Sequence, residues 1–139
     1  MNTTYHKMNG QERASLKDSL TACLRHDDNI SFAYLYGSFR DYDDAVGFRD
    51  IDIALYVSGG KDALDYALEK SAEMSCKYNL PVECVPFNSA PLFFRYRIFR
   101  DGMLLFCKDD DLLTDIMEKT AADALDFMPL RQEAMRELL

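Results

Sequence analysis

Apolar and polar positions along the first third of the chain follow first a helical period and then a strand-like pattern. Asn9 and Glu12 have the spacing of a helix-capping pair, and they predict a helix that runs to about residue 27. Its apolar stripe consists of Leu16, Leu20, Cys23 and Leu24. Residues 31–36 are rich in aromatic side chains and stop at Gly37, which indicates a buried strand that meets a tight turn. Alternating residues 51–57 predict a second strand, which ends before two glycines.

The middle of the chain continues to alternate between helix and strand. Apolar residues return at helical spacing over residues 61–78, and prolines mark the starts of the next strand and the next helix. The predicted elements are a helix over residues 61–78, a strand over 82–87, a helix over 91–101 and a strand over 103–107. Gly102 separates the last two because glycine readily ends a helix.

A longer helix is predicted at the C-terminal end. It begins at the acidic triplet 109–111, since acidic residues favour a helix N-terminus, and we expect Pro129 to break or kink it before a last short helix. The order of elements predicts a mixed α/β fold, in which about four strands form a small mixed sheet with flanking helices. We expect one domain over residues 1–139, with 108–139 as a C-terminal helical extension.

Composition narrows the class of protein. The 139 residues are 48% hydrophobic and 29% charged, which is typical of one soluble globular domain. A net charge of −8 does not favour direct binding of nucleic acid, so divalent cations would have to mediate contact with a polyphosphate. The acidic surface suits a basic protein partner or simply keeps the protein soluble. No apolar run predicts a membrane span or a secretory signal, and we therefore expect a cytoplasmic protein.

Cysteine usage does not indicate a metal site. The four cysteines, Cys23, Cys76, Cys84 and Cys107, lie far apart and form no CxxC pair. Such spacing predicts neither a zinc site nor a disulfide framework.

The chemically informative stretch begins where the first strand ends. Gly37 and Ser38 place backbone N–H groups and a hydroxyl at a turn, where they can face an anionic phosphate. Alternatively, Ser38 and Asp41 cap the start of a helix. Arg40 and Arg49 flank the loop that follows, where they can meet phosphate oxygens or neutralise the nearby aspartates 41, 43 and 44.

Two aspartates share one face of the second strand. Asp50 and Asp52 alternate with isoleucines, so their carboxylates point to the same side at about 6.6 Å spacing. Two catalytic metal ions lie about 3.5–4 Å apart, and carboxylates at this spacing can converge on such a pair. The alternative is a solvated strand face.

A third acid, Glu83, lies within the otherwise apolar third strand. An unpartnered buried carboxylate costs several kcal/mol, so Glu83 is expected at a solvated edge, beside a cation or on a metal ion.

These features occur in an order that resembles the nucleotidyltransferase superfamily related to DNA polymerase beta. A strand ends in Gly-Ser, and eleven residues follow. Asp-x-Asp then lies on the second strand, and the next strand contains one acidic residue. More narrowly, the chain is similar to the minimal nucleotidyltransferases (MNT), stand-alone antitoxins that are encoded beside HEPN-type ribonuclease toxins. Residues 82–106 also resemble that family's run of strand, Asn-x-Ala-Pro, amphipathic helix, glycine and short strand. The resemblance covers roughly residues 30–107.

The resemblance implies a small nucleotidyltransferase fold and a specific site. Asp50, Asp52 and Glu83 would be catalytic residues that bind two Mg²⁺ ions, and Gly37 and Ser38 would bind the phosphates of ATP, the substrate. The implied reaction transfers AMP to a hydroxyl, a tyrosine of the HEPN toxin. No direct contact with nucleic acid or membrane is implied, and a homo- or hetero-oligomer is compatible with this role.

Three departures from the family pattern keep a second hypothesis open. The gap after Ser38 is one residue longer than usual, Arg49 replaces a serine before the first aspartate, and Glu83 replaces an aspartate. The alternative is an antitoxin with a weak or inactive site that neutralises its toxin by binding alone. Transfer to a small-molecule hydroxyl, such as that of an aminoglycoside, is less favoured because little chain remains for a substrate lobe.

Overall fold

The computed structural model describes residues 5–41 and 47–138, with side chains described as far as residue 127. Four strands and five helices alternate along these residues. In chain order they are α1 (Gly10–Arg25), β1 (Ile30–Tyr36), α2 (Gly37–Arg40), β2 (Ile51–Val57), α3 (Ala63–Tyr78), β3 (Val82–Pro86), α4 (Leu92–Asp101), β4 (Met103–Cys107) and α5 (Asp110–Leu138).

The four strands form one mixed sheet in the order β3-β2-β1-β4. β1 pairs antiparallel with both β2 and β4, whereas β2 and β3 are parallel. A parallel pair needs a crossover connection, and α3 provides it between β2 and β3. The two central strands are therefore β2 and β1, and β3 is an edge strand.

Helices cover both faces of the sheet. One face packs Leu35 and Ile53 against α1 and α3, where Leu24 and Met74 are completely buried. The other face packs aromatic residues of β1 against α4 and α5, with Phe32 fully buried at its centre. The expected mixed α/β fold, with a four-stranded sheet and flanking helices, is confirmed.

The helix starts show why these segments fold locally as they do. In α1 the Glu12 amide donates to the Asn9 side chain at 2.7 Å, and the Asn9 amide donates to Glu12 Oε1 at 3.3 Å, so the predicted capping pair is confirmed. α3 begins two residues later than predicted because the Asp62 side chain, which accepts from the Asp65 amide at 3.0 Å, caps it.

α5 corrects one prediction from the sequence. It is a single helix of 29 residues that continues through Pro129, so the expected break with a separate last helix is wrong. Proline removes one backbone hydrogen bond, and helix formers on both sides keep the remaining ladder in place. Although α5 is long, the part of the chain that the structure describes contains no helix that is both long enough and apolar enough to cross a bilayer.

Candidate active site

The register of the sheet places two acidic residues side by side. Asp52 on β2 pairs with Glu83 on parallel β3, and on its other side it pairs with Tyr36 on antiparallel β1. The Asp52 and Glu83 carboxyl groups are close enough that Glu83 raises the pKa of Asp52. Glu83 is exposed at the sheet edge, as one reading of the sequence predicted, and Asp52 is half-buried.

Burial and neighbouring negative charge perturb Asp52. Burial first, and then the charges of Glu83 and Asp50, raise the pKa of Asp52 from its ordinary 3.8 to about 6. Burial, and after it the charge of Asp52 and then of Glu83, likewise raises the pKa of the Tyr36 hydroxyl. The site is therefore a region of concentrated negative potential that a bound cation would relieve.

Gly37 lies directly against Asp52. Its φ of +79° belongs to the left-handed region, and a Cβ atom built there would approach Asp52 Cγ to 3.1 Å. Only glycine combines this backbone conformation with such a close approach. The tight turn that the sequence predicted at Gly37 is confirmed, and it brings the start of α2 to the carboxylates.

Ser38 links the turn to the beginning of β2. Its hydroxyl donates to the Asp50 carbonyl oxygen at 3.3 Å and accepts from the Arg49 amide at 3.4 Å. Both bonds are long, so the exposed hydroxyl can exchange them for a ligand. The alternative that Ser38 caps a helix is wrong, because the N-cap of α2 is Tyr36 and no side chain caps it.

Carboxylate oxygens are suitable ligands for a hard divalent cation. Asp52 and Glu83 present carboxylate oxygens, which Mg²⁺ prefers, and a cation between them would offset their mutual repulsion. Asp50 is close enough to raise the pKa of Asp52. Among the side chains that the structure describes, in residues 5–41 and 47–127, however, no three acidic, histidine or cysteine groups are arranged to hold one ion. The residues therefore fit a cation bound mainly between Asp52 and Glu83, with Asp50 adjacent.

The structure adds residues that sequence reasoning did not assign to the site. A cleft of about 260 Å³ opens between α2 and α4, where Arg40 and Arg97 lie with Gly37 and Phe94. The amphipathic pattern of α4 by itself favours a solvent face or a partner contact for its basic residues. Arg97 instead reaches the site because α4 packs across the end of β1, where Phe94 lies against Tyr36 with ring centroids 5.5 Å apart. A local pattern could not show this contact.

Arg40 and Arg49, which flank the loop, have different surroundings in the structure. Arg40 Nε is buried without a hydrogen-bond partner. Arg49 lies instead over the ring of Tyr5, with its guanidinium carbon 5.9 Å from the ring centroid. Of their proposed acidic partners, Asp43 and Asp44 lie outside the described residues.

Comparisons with known proteins agree with the fold. A model of the family Polymerase beta, Nucleotidyltransferase matches residues 18–111, which include every candidate site residue. No curated protein sequence matches the chain.

Solved structures with a similar fold come from toxin–antitoxin complexes. A toxin–antitoxin structure with AMP-PNP has a TM-score of 0.69 at 18% identity, covering 88% of this chain and 97% of that chain. A complex of the tri-AMPylated Shewanella oneidensis HEPN toxin with MNT antitoxin has a TM-score of 0.67 at 18% identity over 89% of this chain and 97% of that one. The MntA-HepT complex has a TM-score of 0.64 at 20% identity, with coverage of 89% and 97%.

Proposed function

The chain belongs to the polymerase beta nucleotidyltransferase family, and from this premise we propose that it transfers AMP from ATP to a tyrosine hydroxyl of a HEPN toxin and so acts as its antitoxin. The observation that carries the proposal is the adjacent pair of acidic residues Asp52 and Glu83, held in register beside Gly37. Two neighbouring carboxylates repel each other, and a divalent cation bound between them would offset that cost.

Asp50, Asp52 and Glu83 would hold Mg²⁺ in the active complex. When bound, Mg²⁺ neutralises phosphate charge and lowers the pKa of the attacking hydroxyl. Gly37 lets the backbone approach the phosphates closely because it has no side chain, and the Ser38 hydroxyl is free to turn towards a phosphate oxygen.

The reaction exchanges a phosphoanhydride bond of ATP for a phosphoester bond to the acceptor. The acceptor oxygen bonds to the α-phosphorus of ATP, the bond to the β-phosphate oxygen breaks, and pyrophosphate leaves with that electron pair. The proton of the acceptor hydroxyl passes to a carboxylate, and the exposed position of Glu83 at the sheet edge suits it for this role. Because tyrosine has an ordinary pKa near 10, such assistance is needed at neutral pH.

The choice of donor and partner is supported by the similar structures. One of them contains AMP-PNP, and another pairs an MNT antitoxin with an AMPylated HEPN toxin. The shared fold extends over nearly nine-tenths of this chain, so the likeness covers the helices as well as the sheet.

A second candidate function is neutralisation by binding alone. It is favoured by one observation, that no three side chains among the described residues are arranged to hold a single ion. In this case the fold would be retained as a docking surface while the transferase site had weakened.

Intact mass spectrometry separates the two functions. The protein is incubated with ATP, Mg²⁺ and the HEPN toxin encoded beside it, and the mass of the toxin is measured. We expect the toxin to gain the mass of one or more AMP groups, with no gain when Asp52→Asn replaces the wild type. Asp18→Asn, at an exposed position on α1, is the matched control and should transfer normally. A stable complex with no mass gain supports binding alone and contradicts the transferase.

A further inference from the structure

Two clefts of similar size lie on the face of the sheet that carries the carboxylates. The first is the Arg40–Arg97 cleft on the α2 side, with a volume of about 260 Å³. The second, of about 250 Å³, lies where β3 runs into α4, and we call it the apolar cleft; it is lined by Val85, Pro86, Ser89, Ala90, Pro91 and Phe94. Phe94 lines both clefts.

The sheet fixes the order of these features. Val85 is two residues after Glu83 on β3, so both side chains lie on the same face of the sheet. Glu83 pairs with Asp52 and Asp52 pairs with Tyr36, which lines the Arg40–Arg97 cleft. The apolar cleft and Glu83 therefore share the edge strand β3, Asp52 lies on β2, and the Arg40–Arg97 cleft begins on β1.

We propose that a nucleotide lies across this sequence of features, with its base in the apolar cleft against Phe94 and its phosphates at the carboxylates, extending towards Arg97 and Arg40. This inference rests on the proposed function, because it assumes a nucleotide substrate at the carboxylates. Each cleft is smaller than the roughly 300–1,000 Å³ of a pocket for a whole drug-sized ligand, so each suits one part of a nucleotide.

The chemistry of the apolar cleft suits a flat ring. Ser89 provides its one polar side chain among the lining residues, and the ring of Phe94 and two prolines form its walls. A base has an apolar face that stacks on such surfaces, while a phosphate would lose its hydration there without gaining donors.

The Arg40–Arg97 cleft suits the phosphates better. It presents two guanidinium groups to an anion, and Arg40 Nε is buried and lacks a partner. Two carboxylates, of Asp41 and Asp101, also line the cleft, but Asp101 is already ion-paired with Arg100 at 2.8 Å. The reverse orientation would place phosphates against Pro86 and Phe94 and is therefore disfavoured.

This arrangement predicts how the base is recognised. Recognition rests on stacking, since the lining side chains offer one hydroxyl and no charged group to read the edge of a base. Purine nucleotides should therefore bind more tightly than pyrimidine nucleotides, and ATP and GTP should differ by less than about tenfold.

Calorimetric binding of Mg²⁺ nucleotides tests the assignment. The ligands are ATP, GTP, CTP and inorganic tripolyphosphate, each with Mg²⁺ and without the toxin. Ala90→Leu fills the apolar cleft, and Ser89→Leu does so from an exposed position where folding is not at risk. Ala122→Leu, on the exposed side of α5, is the matched control, and Arg97→Gln tests the other cleft.

We expect either leucine variant to weaken binding of Mg²⁺-ATP about tenfold and to leave binding of Mg²⁺-tripolyphosphate unchanged. Arg97→Gln should weaken both ligands, and the control should weaken neither. If both leucine variants bind Mg²⁺-ATP as the wild type does, the base lies elsewhere, although AMP transfer itself stands. If the wild type binds neither ligand, the proposed function and the base site are both wrong.

Discussion

Replacing Asp52 by asparagine should abolish AMP transfer and, in the absence of metal, make the protein more stable. The substitution removes a charge from a carboxyl group that is half-buried beside Glu83 and Asp50, and keeps a side chain of nearly the same shape. The new amide can donate a hydrogen bond to the neighbouring Glu83 carboxylate. The gain therefore comes from relieved repulsion and desolvation.

The size of the gain follows from the pKa of Asp52. Its rise from 3.8 to about 6 makes the folded protein hold this proton more tightly than the unfolded chain does. Below pH 4 both states are protonated and no cost arises; between pH 4 and 6 the cost grows, and above pH 6 it is complete. At about 1.4 kcal/mol per pH unit the ceiling is about 3 kcal/mol, which solvent screening of this half-exposed group reduces to about 1–2 kcal/mol.

Urea denaturation followed by circular dichroism measures this effect. At pH 7.5 without metal we expect Asp52→Asn to raise the free energy of unfolding by about 1–2 kcal/mol. In thermal denaturation the same gain corresponds to a melting temperature that is higher by about 3–6 °C. The difference should shrink towards zero near pH 4. Adding Mg²⁺ should stabilise the wild type and leave the variant unchanged.

The control and the refuting results are equally direct. Asp18→Asn, which is exposed and remote from the site, should change stability little at either pH. A variant of Asp52 that loses stability at pH 7.5 would make this residue structural. A gain of the same size at pH 4 and pH 7.5 would refute the explanation from charge repulsion.

Two further substitutions test how the site is held in place. Gly37→Ala should lower the free energy of unfolding by about 1–3 kcal/mol and weaken Mg²⁺-nucleotide binding, because a Cβ at φ +79° meets Asp52. Urea denaturation measures the first effect and calorimetry the second. Gly10→Ala is the neutral control, since a Cβ added at Gly10 would have no atom within 4 Å. Asn88→Ala should cost about 1–2 kcal/mol in the same denaturation assay, since the Asn88 amide bonds both backbone groups of the last residue of β2 at 2.8 Å. Ser89→Ala, its exposed neighbour, should be neutral, and equal effects of the two would contradict this reason.

Local pattern was enough to predict most elements and to single out the candidate acidic residues. Strand period alone showed that Asp52 lies opposite the buried isoleucines of β2, and capping chemistry alone located the start of α1. Both are properties of a few consecutive residues. The same local reasoning was wrong at Pro129, where the cost of one lost hydrogen bond was outweighed by the continuing helix.

Tertiary structure alone decided which side chains meet. Parallel pairing of β2 with β3 brings Glu83 beside Asp52 across a gap of 30 residues, and a shift of one residue would turn Glu83 to the opposite face. Likewise, the packing of α4 brings Arg97 and Phe94 to the site, although their own segment shows only an amphipathic helix. Strand register and helix packing depend on contacts between distant segments, and a pattern read along neighbouring residues carries no information about them.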